Sequence, residues 1–282
     1  MKSEARRKYK KSSFPNLGKV DLFRINGIKT EGLKIKNVLS IFFIFLLGSC
    51  NSEDASDCFQ TEGNLVQQEV NVGSFESILV NRDVELIVKE GPEYSVVIET
   101  GDNLLNDVLA TVVNGQLQLT NFNTCNYVRA YGITKVFVIA PNIKEIRNSS
   151  QYDVSSIDVL TYPDLTIISE DYNVPNNFTV GDFRLQVEGD KLDIIANNIS
   201  SFYVSGTVNN LYIGFYSGAG RFEGENLIAQ NIDVFHRGSN DMIVNPQVSL
   251  SGELRGTGNL ISLNQPPTVD VEQFYTGELI FN

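Results

Sequence analysis

From about residue 70 onward, apolar and polar residues alternate along this chain with the two-residue period of a half-buried strand. Phe75–Val80, Val84–Val88, Tyr94–Ile98, Gln116–Thr120 and Lys135–Ile139 are such runs, each five or six residues long. Turn formers separate them, among them Glu90-Gly91-Pro92 and Asn114-Gly115. Asn114-Gly115 lies between two strand-like runs, Ala110–Val113 and Gln116–Thr120, which predicts a two-residue hairpin. Helical periodicity is nearly absent; Asp102–Leu109 is the one short segment that could turn helical.

From Leu165 the alternation becomes a repeat. Tyr216-Ser217-Gly218-Ala219-Gly220 is echoed by Arg237-Gly238-Ser239-Asn240-Asp241, by Arg255-Gly256-Thr257-Gly258-Asn259 and, more weakly, by Tyr275-Thr276-Gly277. A strand-like segment precedes each glycine. A period near 20 built of strands predicts an all-β right-handed parallel β-helix, a solenoid with a less regular β N-terminal part. Each coil would hold two or three strands of four or five residues. Glycine at the corners would supply positive φ, and Asn197-Asn198 and Asn209-Asn210 would ladder at the turns. An antiparallel β-sandwich also tolerates short strands but gives no reason for a regular glycine period.

The front of the chain is of another kind. Val38–Leu47 is an apolar run behind Lys34 and Lys36, and it ends in Leu47-Gly48-Ser49-Cys50. A membrane span needs roughly 20 apolar residues and this run has half of that, so it reads as a secretory signal. Its last four residues resemble a bacterial lipobox, which implies acylation of Cys50 (a palmitate-type anchor) and removal of residues 33–49. The polar, acidic stretch after Cys50 suits a tether over residues 50–68 and resembles the export tags of surface lipoproteins of Bacteroidota. Residues 1–32 read as a misassigned start or a basic extension lost on cleavage. The folded domain is expected over residues 69–282.

Cleavage changes the charge. Eleven Lys and Arg face 31 Asp and Glu from Cys50 onward, a net charge of −20 against −12 for the whole chain. Such a domain repels phosphate backbones, so no nucleic-acid partner is expected, and the membrane is expected to be met through the lipid anchor alone. With Cys50 acylated, Cys58 and Cys125 remain as an even pair in an oxidising envelope, which reads first as a disulfide worth roughly 4 kcal/mol. A metal site built from these two thiolates and the single histidine, His236, is a poor competitor.

Several of these segments together resemble the auto-transporter adhesin, head GIN domain family of Bacteroidota lipoproteins. They are the lipobox, Asp57-Cys58, Val72-Gly73-Ser74-Phe75-Glu76-Ser77-Ile78 leading into Val84–Val88, Asn114-Gly115-Gln116-Leu117, Cys125-Asn126-Tyr127-Val128-Arg129, and the Ser-Gly-Ala-Gly corners from Gly218. The resemblance runs from about Glu69 to the C-terminus. It implies a β-helix-like all-β fold, an envelope location and, by the family's label, adhesion. The stretch Gln151–Phe178 departs from the pattern, its glycine corners giving way to Asp and Asn.

Parts for catalysis are few. A serine triad would depend wholly on His236, and there is no Gly-x-Ser-x-Gly elbow, phosphate loop or His-Glu-x-x-His helix. His236 reads as an exposed corner residue. The acidic residues Asp153, Glu170 and Asp171 fall in the irregular region, where stacked carboxylates could serve sugar chemistry or hold Ca2+. Solvated turn residues would look the same. Tyr152, Tyr172, Tyr203, Tyr212 and Tyr216 could form a ladder for sugar rings or a protein edge, or fill the coil interior instead. The leading expectation is a lipid-anchored, outer-membrane, surface-exposed binding protein without catalytic residues or a required cofactor, whose partner is a polysaccharide or an envelope protein. The alternatives are a carbohydrate-active β-helix, lyase or hydrolase, and a structural or sensory partner of another envelope protein.

Overall fold

The computed structural model describes residues 56–123, 125–171 and 178–282. The extension, the signal, Cys50 and the first part of the tether, residues 51–55, lie outside the described residues, as does Tyr172.

The fold is all-β. Its strands are β1 (Leu65–Val70), β2 (Ser77–Val80), β3 (Glu85–Glu90), β4 (Ser95–Gly101), β5 (Val108–Val113), β6 (Gln116–Asn121), β7 (Lys135–Ala140), β8 (Glu145–Asn148) and β9 (Val154–Leu160). After them come β10 (Asp164–Ser169), β11 (Phe183–Ala196), β12 (Ser201–Phe215), β13 (Arg221–His236), β14 (Met242–Leu254), β15 (Leu260–Ser262), β16 (Thr268–Gln273) and β17 (Leu279–Phe281). The one helical turn among the described residues is Leu105–Asp107, inside the segment where a helix is predicted.

All strands join one mixed sheet wrapped around a single core. Two parallel ribbons run through it. The first stacks β6, β2, β8 and β10, then the second halves of β11 to β14, then β16. The second stacks β7, β3 and β9, then the first halves of β11 to β14, then β15 and β17.

Two differences from the sequence-based expectation have physical causes. The sheet is not purely parallel, because β1–β4, β4–β7 and β5–β6 pair antiparallel. The Asn114-Gly115 hairpin dictates one of these pairs: φ is 51° at Asn114 and 77° at Gly115, the sign a primed two-residue turn requires. Secondly, β11 to β14 are single bent strands of 13 to 16 residues rather than separate short ones. Register shifts, at Tyr203/Gly206 for example, let one strand pass round the corner between ribbons without a turn.

Inside, the strand period puts like on like. Phe183, Phe202, Phe222, Met242 and Leu260 are register partners and are buried along the second ribbon. Ile146, Ile167, Ile194, Ile213 and Val234 do the same along the first. The Phe183 and Phe202 rings stack at 4.9 Å.

The glycine corners keep the layers together, mostly for a reason other than positive φ. Gly218 has φ of 85°, as expected, but Gly238, Gly256 and Gly277 have ordinary backbone angles. Backbone passes directly over backbone there. A Cβ on Gly256 would sit 2.1 Å from the Gly238 carbonyl oxygen, and one on Gly277 would sit 2.2 Å from that of Gly258. Side-chain ladders reinforce the other corner: Asn231 donates to Asn210 at 3.3 Å, and Ser249 donates to Asn231 at 2.8 Å.

His236 is not an exposed corner residue. It is fully buried in the inward row below Phe215, whose ring lies 6.2 Å away. Gly238 N–H donates to Nδ1 at 3.3 Å, which leaves Nε2 as the donor to the Asn240 carbonyl at 2.9 Å. Both ring nitrogens are used by a neutral imidazole. Burial pulls its pKa below the ordinary 6.5, with the Asn240 contact and Asp241 opposing. A depressed folded value means stability that is complete above the ordinary pKa and is lost as pH falls through the folded one. Urea unfolding from pH 7.5 to pH 5 should therefore show a steeper loss for the native chain than for His236→Leu. Parallel pH profiles for the two would contradict this assignment.

Candidate binding face

Outward side chains of the first ribbon also fall into rows. One row reads Arg147, Ile168, Ile195, Gly214, Phe235, Glu253 and Glu272, successive register partners on β8, β10, β11, β12, β13, β14 and β16. Its middle is apolar. Ile168 is buried despite pointing outward, and Ile195 and Phe235 are half-buried.

At the row's centre Gly214 has no side chain, and two tyrosines lean into the gap. A Cβ at Gly214 would lie 2.9 Å from the Tyr212 hydroxyl and 2.9 Å from the Tyr216 ring. The two hydroxyls are hydrogen-bonded at 2.8 Å, and the Tyr216 ring packs 5.1 Å from that of Phe235. Burial, followed by the bond to Tyr216, raises the Tyr212 pKa well above its usual value.

Together these side chains form an open groove of about 580 Å³, lined by Ile168, Ile195, Tyr216 and Phe235 with Arg147, Glu170 and Arg237 at its rim. Arg147 and Glu170 form an ion pair at 2.6 Å. The groove can take a flat or ring-shaped apolar body along the stack and offer charged groups at its edge.

The residues singled out from sequence divide between two places. Tyr212, Tyr216, Glu170 and Asp171 lie on or beside the first ribbon's face; Asn197 donates to Asp171 at 2.8 Å. Tyr203 and Asp153 lie on the second ribbon, held by one arginine: Arg184 Nε reaches Asp153 at 3.1 Å, and its guanidinium sits 4.3 Å from the Tyr203 ring centre. Tyr152 is elsewhere again. It lines a polar cavity of about 180 Å³ with Asp83, Arg129 and Tyr131, and burial followed by the Asp83 charge raises its pKa. The carboxylates are thus not one cluster, because Asp153 precedes β9 whereas Glu170 and Asp171 follow β10.

Sequence reading missed Ile168, Ile195, Phe235, Arg147 and Arg237. A signal was present for the first three. Ile167-Ile168, Ile194-Ile195 and Val234-Phe235 are adjacent apolar pairs that break the alternation, so one member of each must face outward.

Stacked parallel strands closed on one core, with an open groove outside, define a repeat-built all-β protein. The chain belongs to the family described as "Putative auto-transporter adhesin, head GIN domain", which matches residues 74–266. Among solved structures it is similar to a "putative adhesin" from Bacteroides fragilis, at 18% identity and a TM-score of 0.70, covering 79% of this chain and 99% of that one. A "putative lipid binding protein" from Parabacteroides distasonis is similar at 16% identity and a TM-score of 0.56, covering 78% and 97%. A "putative adhesin" from Parabacteroides merdae follows at 15% and 0.53, covering 78% and 98%. At these identities the likeness concerns the fold. No curated protein matches the sequence.

The rim pair gives a test of the face itself. The side chains of Arg147 and Glu170 are 23% and 19% exposed, so water screens them less than an ordinary surface pair. Glu170→Gln should cost about 1 kcal/mol in urea unfolding. Lys144→Ala, which removes an exposed partner of Glu76, should change stability by well under that.

Proposed function

We propose that this protein is a lipoprotein of the outer membrane, anchored through Cys50 and exposed at the cell surface, that binds through the outward face of its parallel strands and catalyses no reaction. The lipobox-like Leu47-Gly48-Ser49-Cys50 and the acidic tether support the anchor, and family membership supports the adhesin-like role. The stack is read as a right-handed coil, the hand that parallel connections overwhelmingly adopt.

The observation that carries the binding role is the groove across β8, β10, β11, β12 and β13. Apolar side chains on an outward face that has no fold-building partner among the described residues mark a contact surface. Tyrosine and phenylalanine presented along a rigid stack suit shallow contacts repeated layer by layer, as an extended polysaccharide or a flat protein edge would make. The mid-chain carboxylates are engaged in arginine and asparagine contacts that brace the corners.

The test is retention of the purified chain on a panel of surface and algal polysaccharides, with polymer length scored in the same tubes. Retention without shortening is expected, and Phe235→Ala and Tyr216→Ala should each weaken it severalfold, by about 1–2 kcal/mol of lost aromatic contact. Shortening that disappears in Glu170→Gln or Asp153→Asn would overturn this reading in favour of a carbohydrate-active enzyme.

A further inference from the structure

The connection between β6 and β7, at the end of the sheet where β5 flanks β6 and β4 and β1 flank β7, carries a second surface with different chemistry. The connection between these strands is tied to the N-terminal segment by the Cys58–Cys125 disulfide. Arg129 tightens the tie by donating to the carbonyls of Asp57 at 2.7 Å, Gln60 at 3.2 Å and Cys125 at 2.9 Å. Tyr127 N–H donates to the Cys58 carbonyl at 2.9 Å, and the Asn126 side chain brackets Arg129 from both sides. This is a locked knuckle.

Its side chains are nevertheless apolar and in water. Tyr131 is 78% exposed, Tyr127 75%, Phe59 53% and Val128 49%. Phe59 and Tyr127 are in ring contact at 5.8 Å. The disulfide and the arginine order this knuckle, with a Tyr131 hydroxyl bond to the Asn126 carbonyl at 3.4 Å, and the aromatic faces are left largely in water.

Position along the chain points to what covers them. Cys58 is eight residues beyond Cys50, a reach of no more than about 29 Å even when fully extended. The opposite end of the stack, at β16, is eight strand steps from β6, or about 38 Å. Whatever holds Cys50 therefore meets the knuckle first.

We propose that Phe59, Tyr127, Val128 and Tyr131 dock into the head-group region of the bilayer that carries Cys50, so that the stack stands end-on with its groove lifted clear of the membrane. Tyrosine suits this interface, with its ring toward the acyl chains and its hydroxyl in the wet layer, and Phe59 and Val128 add apolar contact. The acidic domain disfavours anionic head groups, so a zwitterionic surface is the partner. This rests on acylation of Cys50 and adds a second membrane contact to the lipid anchor.

The chain has no tryptophan, so a single introduced one reports its own depth. The full acylated chain is reconstituted in phosphatidylcholine vesicles, with and without brominated acyl chains, as Tyr127→Trp, Tyr131→Trp and, at the far end, Tyr275→Trp. Flotation is scored first. The expected result is co-flotation, with blue-shifted and bromine-quenched emission for the 127 and 131 variants and unshifted, unquenched emission for the 275 variant. Co-flotation with no quenching at either knuckle position, or with equal quenching at all three, overturns the docking and leaves the anchor standing. Failure of the chain to float overturns the anchor and the docking with it.

Discussion

Everything on this molecule's surface depends on how closely one layer's backbone lies on the next at the glycine corners. At Gly256 and Gly277 the space that a side chain would need is already occupied by a carbonyl oxygen of the layer below. Such contact admits one register, because a slip by one residue would place a side chain in that gap and turn every inward isoleucine outward. With register set, the pleat does the rest. Inward positions become columns of Ile, Leu and Phe, and outward positions become rows whose members share no sequence proximity.

That constraint explains which features could be read from the sequence and which could not. Strand content, the Asn114-Gly115 hairpin and the corner repeat from Gly218 are local or periodic, and they were legible; the Cys58–Cys125 bond, which joins residues 67 apart, was legible from cysteine parity alone. The antiparallel pairs β1–β4 and β4–β7 were not, nor was the spatial order of the parallel strands. β2 and β3 lie between β6 and β7 on one side and β8 and β9 on the other, so spatial order departs from chain order. No local pattern encodes such a detour. His236 was misread for a related reason: polarity suggests exposure, yet the corner backbone offers both an N–H and a carbonyl to a buried imidazole.

The binding face shows the same division. Tyr212 and Tyr216 drew notice by composition, but their neighbours Ile195 and Phe235 come from other layers and become neighbours only through register. Asp153 and Glu170 looked like partners in sequence and are separated by the step from one ribbon to the other. Function in a stacked fold of this kind is written across the layers, at intervals near 20 residues. An apolar residue in an outward slot says more than the same residue type in a cluster along the chain.

Register is therefore the claim to test most directly, and paired cysteines on the outer face can do it. Asn210 and Asn231 are exposed register partners on β12 and β13, whereas Asp233 is two residues further along the same face. On mild oxidation, with the native Cys58–Cys125 bond left in place, Asn210→Cys with Asn231→Cys should close an intrachain disulfide readily. Asn210→Cys with Asp233→Cys should close far more slowly. Equal rates, or a faster shifted pair, would mean that the layers are not held in this register and that the groove built on it does not exist.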